Sequence, residues 1–332
     1  MTQDLKRVSG GGVVDVPAAL YIARAALGPQ VEDVSDVRRL TGGASRETWS
    51  FDARCARGPS IGLILQVERA AAVNGGGTMA LEAAAQRAAR VAGVPVPKVL
   101  LEGDGEPLGR PFLLLDRLVG ETIPRRVLRS AELSLARRRF AGESGLLLGR
   151  IHTIRPDDVP GIDFSDPVER YADALHRLPA AYPALELAFR WLDQHRLAPA
   201  APVVLHGDFR LGNLLFGPKG ISGVLDWELC HMGDPAEDLA WLCVRSWRFG
   251  SVLPVGGLAQ RADLYQAYED RTGRAVDPER IHWWEVFGNV KWAVICALQA
   301  QAHRDGHVRS VELLTLGRRV AEVERELLGL MR

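Results

Sequence analysis

Two aspartates and an asparagine in one stretch, Asp208, Asn213 and Asp226, have the types and spacing to do chemistry. Asp208 follows His206-Gly207, Asn213 stands five positions later, and Asp226 opens Asp226-Trp227-Glu228. A carboxylate to orient a hydroxyl, with two further oxygen donors suited to Mg2+, is what phosphoryl transfer needs. The surrounding elements must hold these groups. The apolar run 203–205 reads as a short buried strand, and 214–216 and 221–225 as two strands joined by the turn Gly217-Pro218-Lys219-Gly220. Pairing those strands places Asn213 and Asp226 at their ends. A glycosidase reading of Asp208 and Asp226 needs a sugar cleft between two carboxylates and gives Asn213 no role.

The pattern His206-Gly207-Asp208-x4-Asn213, followed by Asp226-Trp227-Glu228, resembles the catalytic core of the aminoglycoside phosphotransferase and choline kinase-like families. These share the protein-kinase-like fold, and the kinase H-R-D-x4-N pattern maps onto the same positions. The longer run from Asp226 through Gly233-Asp234-Pro235 to Leu242 is similar to the kinase-like domains found with acyl-CoA dehydrogenases, whose relatives phosphorylate 4-hydroxyacyl-CoA. The resemblance implies ATP and Mg2+ as cofactors. It implies Asp208 as the base that orients the acceptor hydroxyl, and Asn213 and Asp226 as nucleotide and metal contacts. Arg210 stands where the kinase catalytic-loop lysine stands, and would offer positive charge to the transferring phosphoryl group. Glu228 would support the metal or bind the acceptor.

Upstream, 37–40 and 48–51 read as strands around Thr41-Gly42-Gly43-Ala44-Ser45-Arg46. Gly42, Gly43 and Ser45 suit a hairpin whose backbone N–H groups approach phosphates, although an ordinary hairpin turn has the same look. Residues 61–67 read as a third strand. In the resembled family this strand carries a basic residue for the nucleotide phosphates, and here that position is Gln66. The only lysines are Lys6, Lys98, Lys219 and Lys291. Arg69 is the alternative anchor, on the opposite face if the strand alternation continues. Glu82, in the alanine-rich helix expected over 78–92, matches the glutamate that pairs with the basic residue in relatives. It reads equally as a solvated helix glutamate.

The expected architecture is α+β: a two-lobe protein-kinase-like fold with a small antiparallel-β N-lobe (1–117) and a larger, mainly helical C-lobe (118–332) holding the catalytic and metal loops and the acceptor pocket. Helices are expected over 17–27, 131–153, 168–179, 184–197, 236–245, 258–272, 278–302 and 311–328. His152 reads as a packing histidine, Asp234 as a helix cap and Asp238 as a brace for the catalytic loop. Most aromatics of 278–302 read as core.

Balanced charge, 41 basic against 41 acidic residues, argues against nucleic acid as a partner. No apolar run spans a membrane and residues 1–12 lack an apolar leader, so a cytoplasmic monomer or homodimer is expected. Cys55, Cys230, Cys243 and Cys296 lie far apart and read as buried thiols in a reducing compartment. The acceptor is expected to be a small-molecule hydroxyl. Arg304, Arg309, Arg318 and Arg319 lean it toward an anion such as an acyl-CoA, because an aminoglycoside calls for an acidic lobe. A nucleotide-binding pseudokinase that lost turnover with its strand lysine is the non-enzyme alternative.

Overall fold

The computed structural model describes residues 14–40, 46–69, 77–307 and 310–332. Gly42, Gly43, Ser45 and Arg309, singled out in the sequence, lie outside them. The chain divides into two compact units, 1–68 with 100–117, and 69–99 with 118–332.

The first unit begins with α1 (Val16–Leu27), capped by the Asp15 side chain accepting from the Ala18 N–H at 2.9 Å. Five strands follow: β1 (Val31–Arg39), β2 (Arg46–Cys55), β3 (Ile61–Glu68), β4 (Val99–Gly103) and β5 (Phe112–Asp116). They form one sheet in the order β1-β2-β3-β5-β4. The pairings β1–β2, β2–β3 and β3–β5 are antiparallel. Leu63, Leu65 and Val67 of β3 are fully buried against Ile22 and Ala23 of α1, Phe51 of β2 and Leu114 of β5. The two-residue period of a strand then puts Ile64 and Gln66 on the other face. β1 is longer than the 37–40 expected. Register shifts at Val31/Asp33 and Ser35/Arg38, with Asp36 at φ 53°, break the alternation that would have shown it in the sequence.

The second unit holds ten helices among the described residues: α2 (Met79–Val91), α3 (Pro124–Arg129), α4 (Ser134–Ile151), α5 (Pro167–His176), α6 (Pro183–Gln194), α7 (Pro235–Cys243), α8 (Arg261–Thr272), α9 (Pro278–Arg304), α10 (Val311–Leu316) and α11 (Arg319–Leu330). The helix α2, expected with the sheet, groups with this unit. Two small antiparallel ribbons complete it. β7 (Leu214–Gly217) pairs with β8 (Gly220–Val224), and β6 (Val203–Leu205) pairs with β9 (His231–Gly233), whose His-Met-Gly has no apolar run to announce it in sequence. The 27-residue α9 is the spine: Trp283, Trp284, Phe287, Val290 and Val294 are all buried in the core. The single helix expected over 311–328 is two. Gly317 separates them, and a Cβ there would come within 2.8 Å of the Ala300 Cβ of α9, so the chain turns where there is little room for a side chain against α9. No helix among the described residues is long and apolar enough to cross a membrane. The four cysteines are free; three are buried, while Cys55 is half-buried rather than buried as expected.

Candidate active site

The site grows from the ends of the two ribbons. β6 delivers His206, Gly207 and Asp208. Gly207 has φ 78°, and a Cβ on it would lie 2.1 Å from the Leu229 carbonyl oxygen, so only glycine fits this crossing. The 3-10 turn Leu211–Asn213 then carries Asn213 back beneath Asp208. β8 ends at Val224, and Asp226 follows in the left-handed region at φ 66°, a strained position for a side-chain-bearing residue.

Asp208 is held by three donors. Trp241 Nε1–H reaches Oδ1 at 2.8 Å, Asn213 Nδ2 reaches Oδ2 at 2.6 Å, and Arg210 Nε reaches the two oxygens at 3.0 and 3.2 Å. Asn213 also donates to the Asp208 carbonyl at 3.0 Å, so its amide nitrogen is committed and its Oδ1 is left to accept or to ligate. The Arg210 guanidinium rests over the Trp247 ring at 4.7 Å.

His206 clamps the two loops together. Burial holds its imidazole below the usual histidine range, so the ring is neutral. Nδ1 accepts the Asp208 N–H at 3.1 Å, and Nε2–H donates to the Leu225 carbonyl at 3.0 Å. Asp238 accepts the N–H groups of His206 and Gly207 at 2.8 and 2.9 Å, and lies 3.3 Å from His152. Burial would raise this carboxyl, but the contact with His152 and the His206 backbone N–H outweigh it and hold it at about 2. Asp238 thus braces the loop and His152 packs, as the sequence suggested. Asp234 caps α7 and also accepts from Arg280 Nε at 2.6 Å.

Lys291 is a contributor the sequence reading did not single out. This buried lysine of α9 donates to the Gly207 carbonyl at 2.8 Å and to Glu237 at 3.1 Å, and its ammonium lies 4.6 Å from the Trp241 ring centroid. Glu237 also meets His231 at 3.1 Å. Trp241 was missed with it. The available signals were a lone lysine inside an apolar aromatic helix and an indole in Asp238-Leu239-Ala240-Trp241, since a buried charge must be paired.

Asp226 sits in a strongly negative setting. Burial comes first, then Glu228, Asp208 and Glu82, and together they push its carboxyl well above the usual carboxylate range; Arg210 opposes them. Such a carboxyl calls for a cation. Asp226 with Asn213 Oδ1 supplies two hard oxygens, which fits Mg2+, an ion that keeps waters and phosphate oxygens for its other positions. No three acidic, histidine or cysteine side chains among the described residues form a closed cation cage.

Glu82, expected as half of an ion pair or as a solvated glutamate, is 1% exposed, so the solvated reading falls. Gln66 belongs to the sheet unit and Glu82 to the helical one. The Gln66 Oε1 is buried with no hydrogen-bond partner. β3 ends at Glu68, so Arg69 lies beyond the strand and alternation does not fix its face. Cys230 is no nucleophile: burial pushes its thiol far up.

A model of the phosphotransferase enzyme family matches residues 36–284. Mouse acyl-CoA dehydrogenase family member 10 is 32% identical over 164 residues, which cover 46% of this chain and 15% of that protein. The chain thus spans only a small part of the curated relatives it first matches. Among solved structures, a candidate aminoglycoside phosphotransferase of Ralstonia eutropha superposes with a TM-score of 0.71 at 21% identity, covering 95% of this chain and 97% of that one. A spectinomycin phosphotransferase in complex with ADP and spectinomycin gives 0.67 at 11% identity, over 95% and 99%. The fold is protein-kinase-like.

Proposed function

Since the chain belongs to the phosphotransferase enzyme family, we propose that it transfers the γ-phosphoryl group of ATP to a hydroxyl of a small anionic molecule. The observation that carries this reading is the Asp208 carboxylate, fixed by Trp241, Asn213 and Arg210 within the same electrostatic cluster as Asp226. Asp208 accepts the hydrogen bond of the acceptor hydroxyl and takes its proton as the oxygen attacks. Arg210 swings from Asp208 to the transferring phosphoryl oxygens, where charge accumulates. Asn213 Oδ1 and Asp226 would hold Mg2+, which would neutralise phosphate charge. Glu228 would support the metal or bind the acceptor.

A hydroxyacyl-CoA is the acceptor class we favour, in line with relatives named for acyl-CoA chemistry. Aminoglycosides, sugars and choline are the competing acceptors. The test is ATP consumption with hydroxyacyl-CoAs, hygromycin B, choline and simple sugars side by side, each repeated with Asp208→Asn. Phosphorylation of an aminoglycoside alone would reassign the acceptor. Mg2+-ATP binding without turnover on any acceptor would favour the pseudokinase reading that Gln66 invites.

A further inference from the structure

Within the helical unit, three buried ionisable side chains close a ring around Gly207. His231 of β9 and Glu237 of α7 are each 2% exposed, and Lys291 of α9 is 1% exposed. Lys291 Nζ donates to the Gly207 carbonyl at 2.8 Å and to Glu237 Oε1 at 3.1 Å. The second carboxylate oxygen, Glu237 Oε2, lies 3.1 Å from His231 Nε2. His231 Nδ1 lies 2.8 Å from the Leu229 carbonyl oxygen. That oxygen is the atom a Cβ on Gly207 would strike, so the contacts return to their starting point. Asp238 takes the Gly207 N–H at 2.9 Å from the remaining side.

Both ring nitrogens of His231 face oxygens that only accept. A backbone carbonyl has no hydrogen to give. Burial would raise the Glu237 carboxyl, but His231 and Lys291 outweigh it and hold it at about 2, so Oε2 accepts as well. A neutral imidazole has one N–H and would leave the other nitrogen's lone pair against an oxygen, away from water. Two N–H donors make His231 an imidazolium. The ring then holds two cations and one anion, and further acids surround it. Asp163 lies near His231, its carboxyl held low by Ser165 first and by Arg170 and His231 after it. Asp208 and Tyr171 lie within electrostatic reach of Lys291, and Asp238 within reach of Glu237. β6, the strand paired with β9, carries no titratable side chain.

We propose that His231 is a positioning residue for phosphoryl transfer: protonated on both ring nitrogens, it fixes the Leu229 carbonyl and Glu237, and through Lys291 it fixes Gly207. Gly207 precedes Asp208, and Leu229 stands three residues after Asp226. The imidazolium therefore ties the loop of the base to the loop of the second carboxylate without itself reaching the reacting atoms. Loss of one proton leaves either Leu229 or Glu237 without its donor, and the ring opens. The effect on turnover rests on the phosphoryl-transfer reading above. The charge and the clamp rest on the hydrogen bonds alone.

Nuclear magnetic resonance of the full nitrogen-labelled chain tests it. Long-range proton–nitrogen correlation reads whether each ring nitrogen of His231 carries a hydrogen, and His231→Gln confirms which signals belong to it. At about pH 7.5 an ordinary imidazole, which titrates near 6.5, is mostly neutral, whereas His231 should show two protonated nitrogens. As the pH is raised further, the Gly207 amide signal should move with the same midpoint as the His231 ring. A neutral His231 at about pH 7.5 overturns the proposal, and this wild-type reading stands whether or not the variant folds. A Gly207 amide that stays still while His231 titrates overturns it too. Turnover on the acceptors named above then reads the positioning role. His231→Gln keeps a donor and loses the charge, so kcat should fall about tenfold or more while the KM for Mg2+-ATP stays within about twofold. Wild-type kcat should drop across the His231 midpoint, and the variant's kcat should be flat there. Equal kcat in the two proteins, or a wild-type profile flat across the midpoint, overturns the positioning role. No ATP consumption with any acceptor, while Gly207 follows His231, removes the phosphotransferase reading and leaves the clamp standing.

Discussion

Asp208, Asn213, Arg210 and Asp226 were legible as residues because carboxylate, carboxamide and guanidinium at fixed offsets have few other joint uses. Asp208→Asn should cut turnover about a hundredfold or more, the scale of general-base catalysis, while Mg2+-ATP affinity stays within about twofold. A variant with wild-type rates would take Asp208 out of the mechanism. Asp226→Ala should abolish the Mg2+ dependence of nucleotide binding, read by calorimetry with and without the ion. Trp241 was not legible, because a tryptophan in an apolar helix reads as core, and only the fold shows its N–H aimed at Asp208 Oδ1. Trp241→Phe keeps the packing and removes that donor. A hydrogen bond to a charged group contributes about 1.5–3 kcal/mol, so turnover should drop roughly tenfold or more with nucleotide affinity unchanged; an unchanged turnover would leave the indole a packing role only.

At the scale of elements, the ribbon β7–β8 and most long helices were readable from alternation and helical spacing, whereas the edge strand β1 hid behind its bulges and β9 behind its lack of an apolar run. The joint between β6 and α7 depends on buried ionised carboxylates. Asp238 and Glu237 both stand at about 2, below their ordinary values of 3.8 and 4.5. Groups depressed on folding stabilise fully above their unfolded values, and that contribution disappears as pH falls toward the folded ones. Urea denaturation should therefore show stability falling between about pH 4 and pH 2. Asp238→Asn should lower stability at pH 7 and flatten that slope; an unaltered slope would place the acid sensitivity elsewhere. On β3, Gln66→Arg should tighten Mg2+-ATP binding if the phosphates face this position, since charge-assisted contacts are the strong ones. Indifference to Gln66→Arg combined with strong loss in Arg69→Ala would make Arg69 the anchor.

Across the whole molecule, composition and balanced charge set only the class, and the local catalytic pattern set the family. What sequence could not reveal is which distant segments share the wall of a cavity: Arg319 was noticed for its charge, but Arg125, Arg129, Arg245 and Arg248 join it only after α3, α7, α9 and α11 pack. The last helix is part of that wall and of the core, with Val320, Val323 and Leu327 buried beside α9. Leu327→Ala should cost about 2–5 kcal/mol in chemical denaturation; a loss under about 1 kcal/mol would mean α11 is only loosely docked. The Trp241 indole has a further consequence. It donates to Asp208, lies beneath the Lys291 ammonium, and has the Trp247 ring, with Arg210 upon it, 5.2 Å away. An indole's emission shifts with the charges around it and is quenched by neighbouring rings. The difference spectrum between wild type and Trp241→Phe should therefore change when Arg210 leaves Asp208, so the protein carries its own optical gauge of whether its base is engaged.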